Sequence, residues 1–441
     1  MLIKFSLENW MSYREKTSIS MVATREQHHG ERVTKVPRLK IRILPIALVF
    51  GGNASGKTNF FRALGFAKYM VTRGYFLAPD QRIPLEPYLL DSRSRKSPTS
   101  MSFTVMVGEE VYEYSFSLDS VRVVHERLAR ITSPAEGFGF ERVLDDVSGT
   151  YTLTVGKAHA EERDLLELIG RSTRRNQLLL MTSVNQNAES FRPVYDWFDK
   201  TLRLISPTAS YAPKEDYADE SSPSFARMNE LLALFDTGIR HIRRKPIDVS
   251  SIPLPSRLVK EVSDSLKEGE TVRIEDHDRT FPYLLTRRDG QVVAEKLVAC
   301  HAAHGESSEE EFELDHESDG TRRLIDLLPA FVDAERHDRS HVCIIDEIDR
   351  CLHTFAARKL VETFLGNCTN ESRGQLLATT HDLGLMSQDL LRRDEMWLSE
   401  RHDETSILYP VSDFAEARKD TDLRGSYLAG RMGGIPAINV L

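Results

Sequence analysis

The stretch "VFGGNASGKTNF", Val49 to Phe60, constrains this chain more than any other. Gly51-Gly52-Asn53-Ala54-Ser55-Gly56-Lys57-Thr58 satisfies the pattern GxxxxGK[ST] at every specified position. It follows an apolar run, "ILPIALVF", and precedes a helical one, "KTNFFRALGFAKYMVTRG". Such a loop works through its backbone. Glycines let N–H groups turn inward onto phosphate oxygens, and the helix that follows aims the positive end of its dipole at the same place. Lys57 then reaches the terminal phosphates and the Thr58 hydroxyl ligates magnesium. The expected nucleotide-binding positions are Gly51, Gly52, Asn53, Ala54, Ser55, Gly56, Lys57, Thr58 and Asn59. A mere glycine-rich turn would need no partners downstream, so the rest of the chain decides.

Three partners are present downstream. "HVCIIDEIDR" carries four apolar residues, Val342 to Ile345, that end in Asp346-Glu347. Asp346 is placed to hold magnesium through water, and Glu347 to face the γ-phosphate and act on the attacking water. In "ATTHDLGLM" a strand ends at Thr380 and His381 follows at its carboxyl edge, where ligands sit in open α/β sheets. There it can hydrogen-bond the γ-phosphate. "ESDGTRRLIDLLP" sets Ser318-Asp319-Gly320 at a helix start shortly before the acidic strand. Alone this reads as a serine N-cap. In series with the other motifs it has the layout of an ABC-type signature, in which Ser318 and Gly320 grip the γ-phosphate of a nucleotide bound by a second copy.

Around these motifs the chain divides into three expected regions. Residues 1–157 form an N-terminal lobe. They comprise two short strands, "LIKFSLENW" and "KTSISMVA", a buried strand over 41–50, the loop and its helix, and an antiparallel meander through "TSMSFTVMVG", "EVYEYSFSLD" and "RVVHERLARIT". Residues 158–250 read as a mainly helical insertion, with helices at "AEERDLLELIG", "FRPVYDWFDKTLRLIS" and "FARMNELLALFDTGI" and a polar linker, "YAPKEDYADESSPS". Residues 251–441 form the C-terminal lobe, with a hairpin turning at Asp289-Gly290 and strands alternating with helices, which implies a parallel sheet.

The order of these motifs resembles the ABC ATPases of the SMC/RecF/Rad50 type, as does the opening "IKFSLENWMSYREKTSI". "ESDGTRRLIDLLP", "IIDEIDRCLH", "TTHDLGLM", "LLRRDEMW" and "YLAGRMGGIP" resemble a bacterial branch, AAA-15/AAA-21, that supplies ATPases of abortive-infection and anti-phage modules and includes AriA, AbiLi and RloA. The resemblance covers most of the chain and is weakest between about 130 and 310. It implies an ABC-type head: an α/β fold with a mostly parallel core sheet, an antiparallel subdomain and a helical insertion. The implied cofactors are ATP and Mg2+, with Lys57, Thr58 and Asp346 at the phosphates and metal. Glu347 polarises water, Ser318 and Gly320 act in trans, Asp349 occupies the Asp-loop and His381 is the switch. The implied assembly is a homodimer of heads, or a higher homo-oligomer. A Q-loop glutamine is not placed; Gln81 and Gln186 are the candidates. The spacing from Thr58 to Ser318 leaves no room for long coiled-coil arms.

Two functions follow. One is a regulatory ATPase of an anti-phage module, which answers a phage protein and controls a separate nuclease or Toprim-like effector. The other is a RecF-like or Rad50-like DNA-repair or clamp ATPase. A net charge of −9 argues against nonspecific nucleic-acid binding, so DNA is possible but not favoured. The basic runs "RSTRR" (171–175) and "RHIRRK" (240–245) read as solvated helix faces. "CHAAH", with Cys300, His301 and His304, reads as a helix surface rather than a metal site, and His28-His29 as a loop. Asp420-Thr421-Asp422 has a DxD form without the strands of a nuclease domain. Four cysteines without a CxxC pair point to reduced thiols. No signal-peptide core opens the chain, and the longest apolar run, Ile43 to Phe50, is too short to span a bilayer. The expected location is the cytoplasm.

Overall fold

Pro45 splits the apolar run ahead of the glycine-rich loop. In the computed structural model, which describes residues 1–131, 136–208, 220, 222–252, 255–274, 283–303, 308–336, 340–414 and 422–434, Ile41–Ile43 and Ile46–Phe50 are separate strands rather than one. Proline brings no N–H to a sheet ladder and sets its own φ. Ile41–Ile43 pairs antiparallel with Thr34–Val36. Ile46–Phe50 enters a parallel sheet, with all five residues buried.

The chain divides into two compact units: Met1–Pro207, His337–Ile348 and Val361–Leu441 in the first, Thr208–Arg336 and Asp349–Leu360 in the second. Among the described residues of the first unit, six strands lie in the order Leu202–Ile205, His341–Ile345, Gly374–Thr380, Ile46–Phe50, Met396–His402, Thr405–Pro410. Neighbours among the first five run parallel; the last folds back antiparallel. The near-continuous apolar runs of the three central strands suit a sheet covered on both faces. A second sheet holds seven antiparallel strands in the order Tyr151–Val155, Glu136–Leu144, Val123–Ile131, Glu110–Leu118, Thr99–Val107, Leu2–Glu8, Thr17–Ser20. Buried and half-buried residues alternate along most of Thr99–Val107, as one covered face requires. The core beneath it is aromatic: Phe103 lies 4.6 Å from Phe5 and 4.9 Å from Phe198 between ring centroids. A parallel core with the loop at its carboxyl edge, beside an antiparallel sheet, is the expected α/β architecture.

The expected helix over 191–206 is shorter than its pattern. Arg192–Asp196 is helical, Trp197–Thr201 forms a π-turn, and Leu202–Ile205 is a strand parallel to His341–Ile345. Leu202, Leu204 and Ile205 satisfy either periodicity over so short a run; hydrogen bonds to a strand distant in sequence decide it. The region 158–250, expected to be one helical insertion, therefore divides. Its first part, through Pro207, stays with the first unit and closes the parallel sheet. The linker at 211–224 lies largely outside the described residues.

In the second unit, the strands Ile239–Ile247, Gln291–Ala302, Tyr283–Arg288 and Thr271–Ile274 follow one another in a sheet, and Glu309–Glu313 also pairs with Gln291–Ala302. Asp289 and Gly290, at φ 51° and 76°, make the expected left-handed hairpin turn. Helix Ser256–Ser265 buries Val259 with Ile252, Leu266, Leu285 and Ala294. Helix Asp319–Glu335 packs beside Pro223–Leu232, and Arg227 bonds Glu335 between them at 2.9 Å.

Two surface readings change here. "RHIRRK" lies on the strand Ile239–Ile247, not on a helix. Its cations meet acids across the sheet: buried Arg244 with Glu295 at 3.0 Å, Lys245 with Glu311 at 3.0 Å, Arg243 also with Glu311, and Arg240 with Glu309 at 3.4 Å. Cys300 and His301 likewise lie on a strand, Gln291–Ala302, while His304 is outside the described residues. In "RHIRRK" Ile242 is the single apolar residue, too little to set a period, so the sheet partners decide. "RSTRR" covers the end of helix Arg163–Ser172 and the turn after it, where Arg174 bonds the Leu77 carbonyl and Arg175 meets Asp80. No described helix is long and apolar enough to cross a membrane.

Candidate nucleotide-binding site

The loop is built where Ile46–Phe50 ends and helix Lys57–Thr72 begins, with Gly56 as N-cap at φ 111°. Only glycine holds such a φ without strain. Space reinforces the requirement: a Cβ on Gly56 would lie 2.7 Å from the Ser406 Cβ and 3.1 Å from the Ser12 hydroxyl. One on Gly51 would run into the Ser399 carbonyl oxygen. Ala54 sits at φ 60°, so left-handed residues interrupt the loop, the geometry that gathers N–H groups around an anion. Asn53 and Ala54 are exposed at the tip; Gly52, Thr58 and Asn59 are half-buried. Lys57 is buried, and its ammonium donates to the Gly51 and Gly52 carbonyls at 2.8 Å each. The Ser55 hydroxyl is buried with no hydrogen-bond partner.

His341–Ile345 and Ile46–Phe50 flank Gly374–Thr380 on either side, all three parallel. Their carboxyl ends therefore share one edge of the sheet, bringing Asp346, His381 and the loop to that edge. Asp346 is wholly buried. Its Oδ1 accepts from the Thr379 hydroxyl at 2.6 Å, and its Oδ2 has no hydrogen-bond partner. Burying a carboxylate oxygen unpaired costs free energy, and a divalent cation would remove that cost. The residues present thus fit Mg2+, with the Thr58 hydroxyl and Asp346 as the oxygens that would hold it. Glu347 follows at φ 53° and half-buried, its N–H donating to the same Thr379 hydroxyl at 2.7 Å. A left-handed glutamate directly after a buried strand is strained and persists only where its surroundings hold it.

His381 is exposed at the end of Gly374–Thr380, and Asp382 caps the short turn that follows by accepting from Gly384 N at 2.8 Å. Gln81 accepts from Ala78 N, and Gln186 donates to the Ser172 hydroxyl at the end of helix Leu179–Asn185. Both bonds are local, and neither glutamine gains a metal-facing role from them.

The second unit holds Ser318, Gly320 and Asp349. Ser318 caps helix Asp319–Glu335, accepting from Thr321 N at 3.1 Å, yet its residue is exposed. A Cβ on Gly320 would lie 2.6 Å from the Cys351 carbonyl oxygen. The helix tip and the turn after Asp349 are in close backbone contact, which explains the glycine independently of any ligand. Asp349 is half-buried, and its carbonyl accepts from Leu352 N at 3.0 Å.

A family model described as "AAA domain, putative AbiEii toxin, Type IV TA system" (AAA_21) matches residues 46–387, which span the glycine-rich loop, the acidic strand and His381. The chain belongs to this family. The family's description names an AAA domain, and membership implies a nucleotide ligand. No curated protein matches the chain significantly. Among solved structures it is similar to an SMC head domain from Thermotoga maritima, at 12% identity and a TM-score of 0.33, covering 93% of this chain and 98% of that one. It is also similar to an SMC head bound to the C-terminal winged-helix domain of ScpA, at 11% and 0.35, covering 93% and 97%. At scores below 0.5 these likenesses carry no weight beside the geometry and the family.

Several residues that shape this AAA_21 site escape sequence reading. Thr379 ties Asp346 to Glu347 from a neighbouring strand; its only signal is a hydroxyl two residues before His381. The turn Asn9–Lys16 buttresses the loop: Tyr13 donates to the Gly56 carbonyl at 3.1 Å, Trp10 Nε1 to the Asn59 carbonyl at 2.8 Å, and Asn59 itself to the Ser12 hydroxyl at 2.8 Å. The Asn59 side chain thus serves this brace. Ser399 donates to the Ser55 carbonyl at 3.1 Å and Ser406 to the Ser12 hydroxyl at 2.8 Å. Their strands, MWLSERH and TSILYP, mix polar and apolar residues, so neither serine stands out in the sequence.

Proposed function

We propose that this protein is a Mg2+-dependent ATP hydrolase acting as a switch, with two heads pairing around ATP. In this reading it is the sensor or regulatory subunit of a bacterial anti-phage module, answers a phage protein, and controls a separate effector such as a Toprim-like nuclease. The observation that carries the chemistry is the Asp346–Thr379–Glu347 link at the loop's edge of the parallel sheet. It leaves one buried carboxylate oxygen for a cation and fixes the backbone of Glu347, which carries a second carboxylate, beside it. Bound Mg2+ would neutralise phosphate charge. Lys57 would exchange its loop carbonyls for phosphate oxygens, the loop N–H groups would cradle them, and Glu347 would orient and deprotonate water. His381 would contact the γ-phosphate. Exposed Ser318, with Gly320 and Asp349, would complete the site of a second copy.

The defence role is supported by the family's own description, which names a putative AbiEii toxin and a Type IV TA system; kinship with AriA, AbiLi and RloA belongs to the same proposal. Against a DNA clamp stands the basic run at 240–245, whose Arg240, Arg243, Arg244 and Lys245 are engaged by Glu309, Glu311 and Glu295. Glu347→Gln tests the reading. It should bind ATP, lose at least about 100-fold in turnover, and accumulate as dimers by light scattering. Wild-type turnover in that variant would sink it. DNA-stimulated turnover with a steep salt slope would move the protein to the clamp class.

A further inference from the structure

We propose that His241, Cys300 and Glu309 form a zinc site in the second unit. The imidazole, thiol and carboxylate lie on three adjacent strands, with one ligand atom from each all within 4.8 Å of one another. His241 and Cys300 face each other across paired strands, and Glu309 comes from the strand on the other side of Cys300, two residues from its direct partner Glu311. His241 Nε2 already lies 3.7 Å from Glu309 Oε2.

The sequence grouping "CHAAH" misleads because strand neighbours point to opposite faces. His301 turns away from Cys300 and bonds Glu317 at 2.7 Å. The true neighbour of Cys300 is a histidine far away in the chain, visible only once the register is known.

The donor set selects the metal. One thiolate, one imidazole and one carboxylate suit Zn2+, which binds them at about 2.0–2.3 Å in a tetrahedron and leaves a fourth position for water. Cys300 is 1% exposed, while His241 and Glu309 are accessible. Burial pushes the Cys300 thiol up, and nearby Arg243 opposes this; a metal would displace the thiol proton. Strand Glu309–Glu313 runs on through Leu314–His316 to the Ser318 helix cap. A bound ion would therefore clip three strands together immediately ahead of that helix tip.

The test uses the full-length protein, stripped with chelator and titrated with Co2+ in the absence of nucleotide. A thiolate-to-cobalt charge-transfer band saturating at about one equivalent, displaced by Zn2+, is expected. Cys300→Ser should abolish it, and Cys351→Ser should leave it intact. His241→Ala, at a side chain 39% exposed and so safe for folding, should weaken Zn2+ binding at least about 10-fold. No band in the wild type, a band retained by Cys300→Ser, or wild-type affinity in His241→Ala overturns the proposal.

Discussion

Replacing Thr379 with valine removes one oxygen and leaves the side-chain shape. That oxygen donates to Asp346 Oδ1 at 2.6 Å and accepts from Glu347 N at 2.7 Å. Without it, both oxygens of a wholly buried carboxylate lack partners, since Oδ2 has none to begin with. A hydrogen bond to a charged group contributes about 1.5–3 kcal/mol, and an orphaned N–H costs about 1–3 kcal/mol. Together these predict about 3–5 kcal/mol of destabilisation, because coupled losses do not add fully. In a unit this large each kcal/mol moves Tm by about 2 °C, so the melting curve should shift down by roughly 6–10 °C. Glu347 also loses what holds it at φ 53°, a conformation costing about 1–3 kcal/mol. Its carboxylate should relax away from the position that meets water, lowering turnover about 100-fold while ATP affinity, set by Lys57 and the loop, stays within about threefold. Thr379→Ser keeps the oxygen and should restore both. Differential scanning calorimetry and a coupled ATPase assay read the two effects. A valine variant that melts within about 1 °C of wild type and turns over normally would refute the link.

Gly56→Ala forces a Cβ into the Ser406 side chain at a left-handed φ of 111°; ATP binding by calorimetry should be lost, and retained binding would mean that the loop is not the nucleotide site. Gly320→Ala meets the Cys351 carbonyl at 2.6 Å, so the helix tip or the turn must shift at a cost of about 1–3 kcal/mol; thermal melting should show the loss, with ATP binding preserved. Cys351 is exposed, whereas burial pushes the Cys368 thiol up to about 12 and Cys300 and Cys343 are buried. Iodoacetamide at about pH 8, well below that value, should label Cys351 first by peptide mass spectrometry; early labelling of Cys368 would contradict its environment.

Local chemistry is readable wherever it must recur in adjacent residues. The loop from Gly51 to Thr58 is a backbone device and needs no distant partner to be recognised, and the apolar runs before Asp346 and His381 announce buried strands by composition alone. The turn at Asp289-Gly290 is equally self-contained, because left-handed φ values select those residues. Long-range pairing is a different matter. Leu202–Ile205 is a strand because it pairs with His341–Ile345, and Arg240, Arg243 and Lys245 meet Glu309 and Glu311 at the surface while Arg244 alone is buried against Glu295. Thr379, Tyr13 and Ser406 entered the site the same way, through contacts between segments far apart in the chain. Residue type and spacing specify what a segment can do with its own backbone; which side chain it meets depends on register and strand order, and those arise only when the whole chain has closed its sheets.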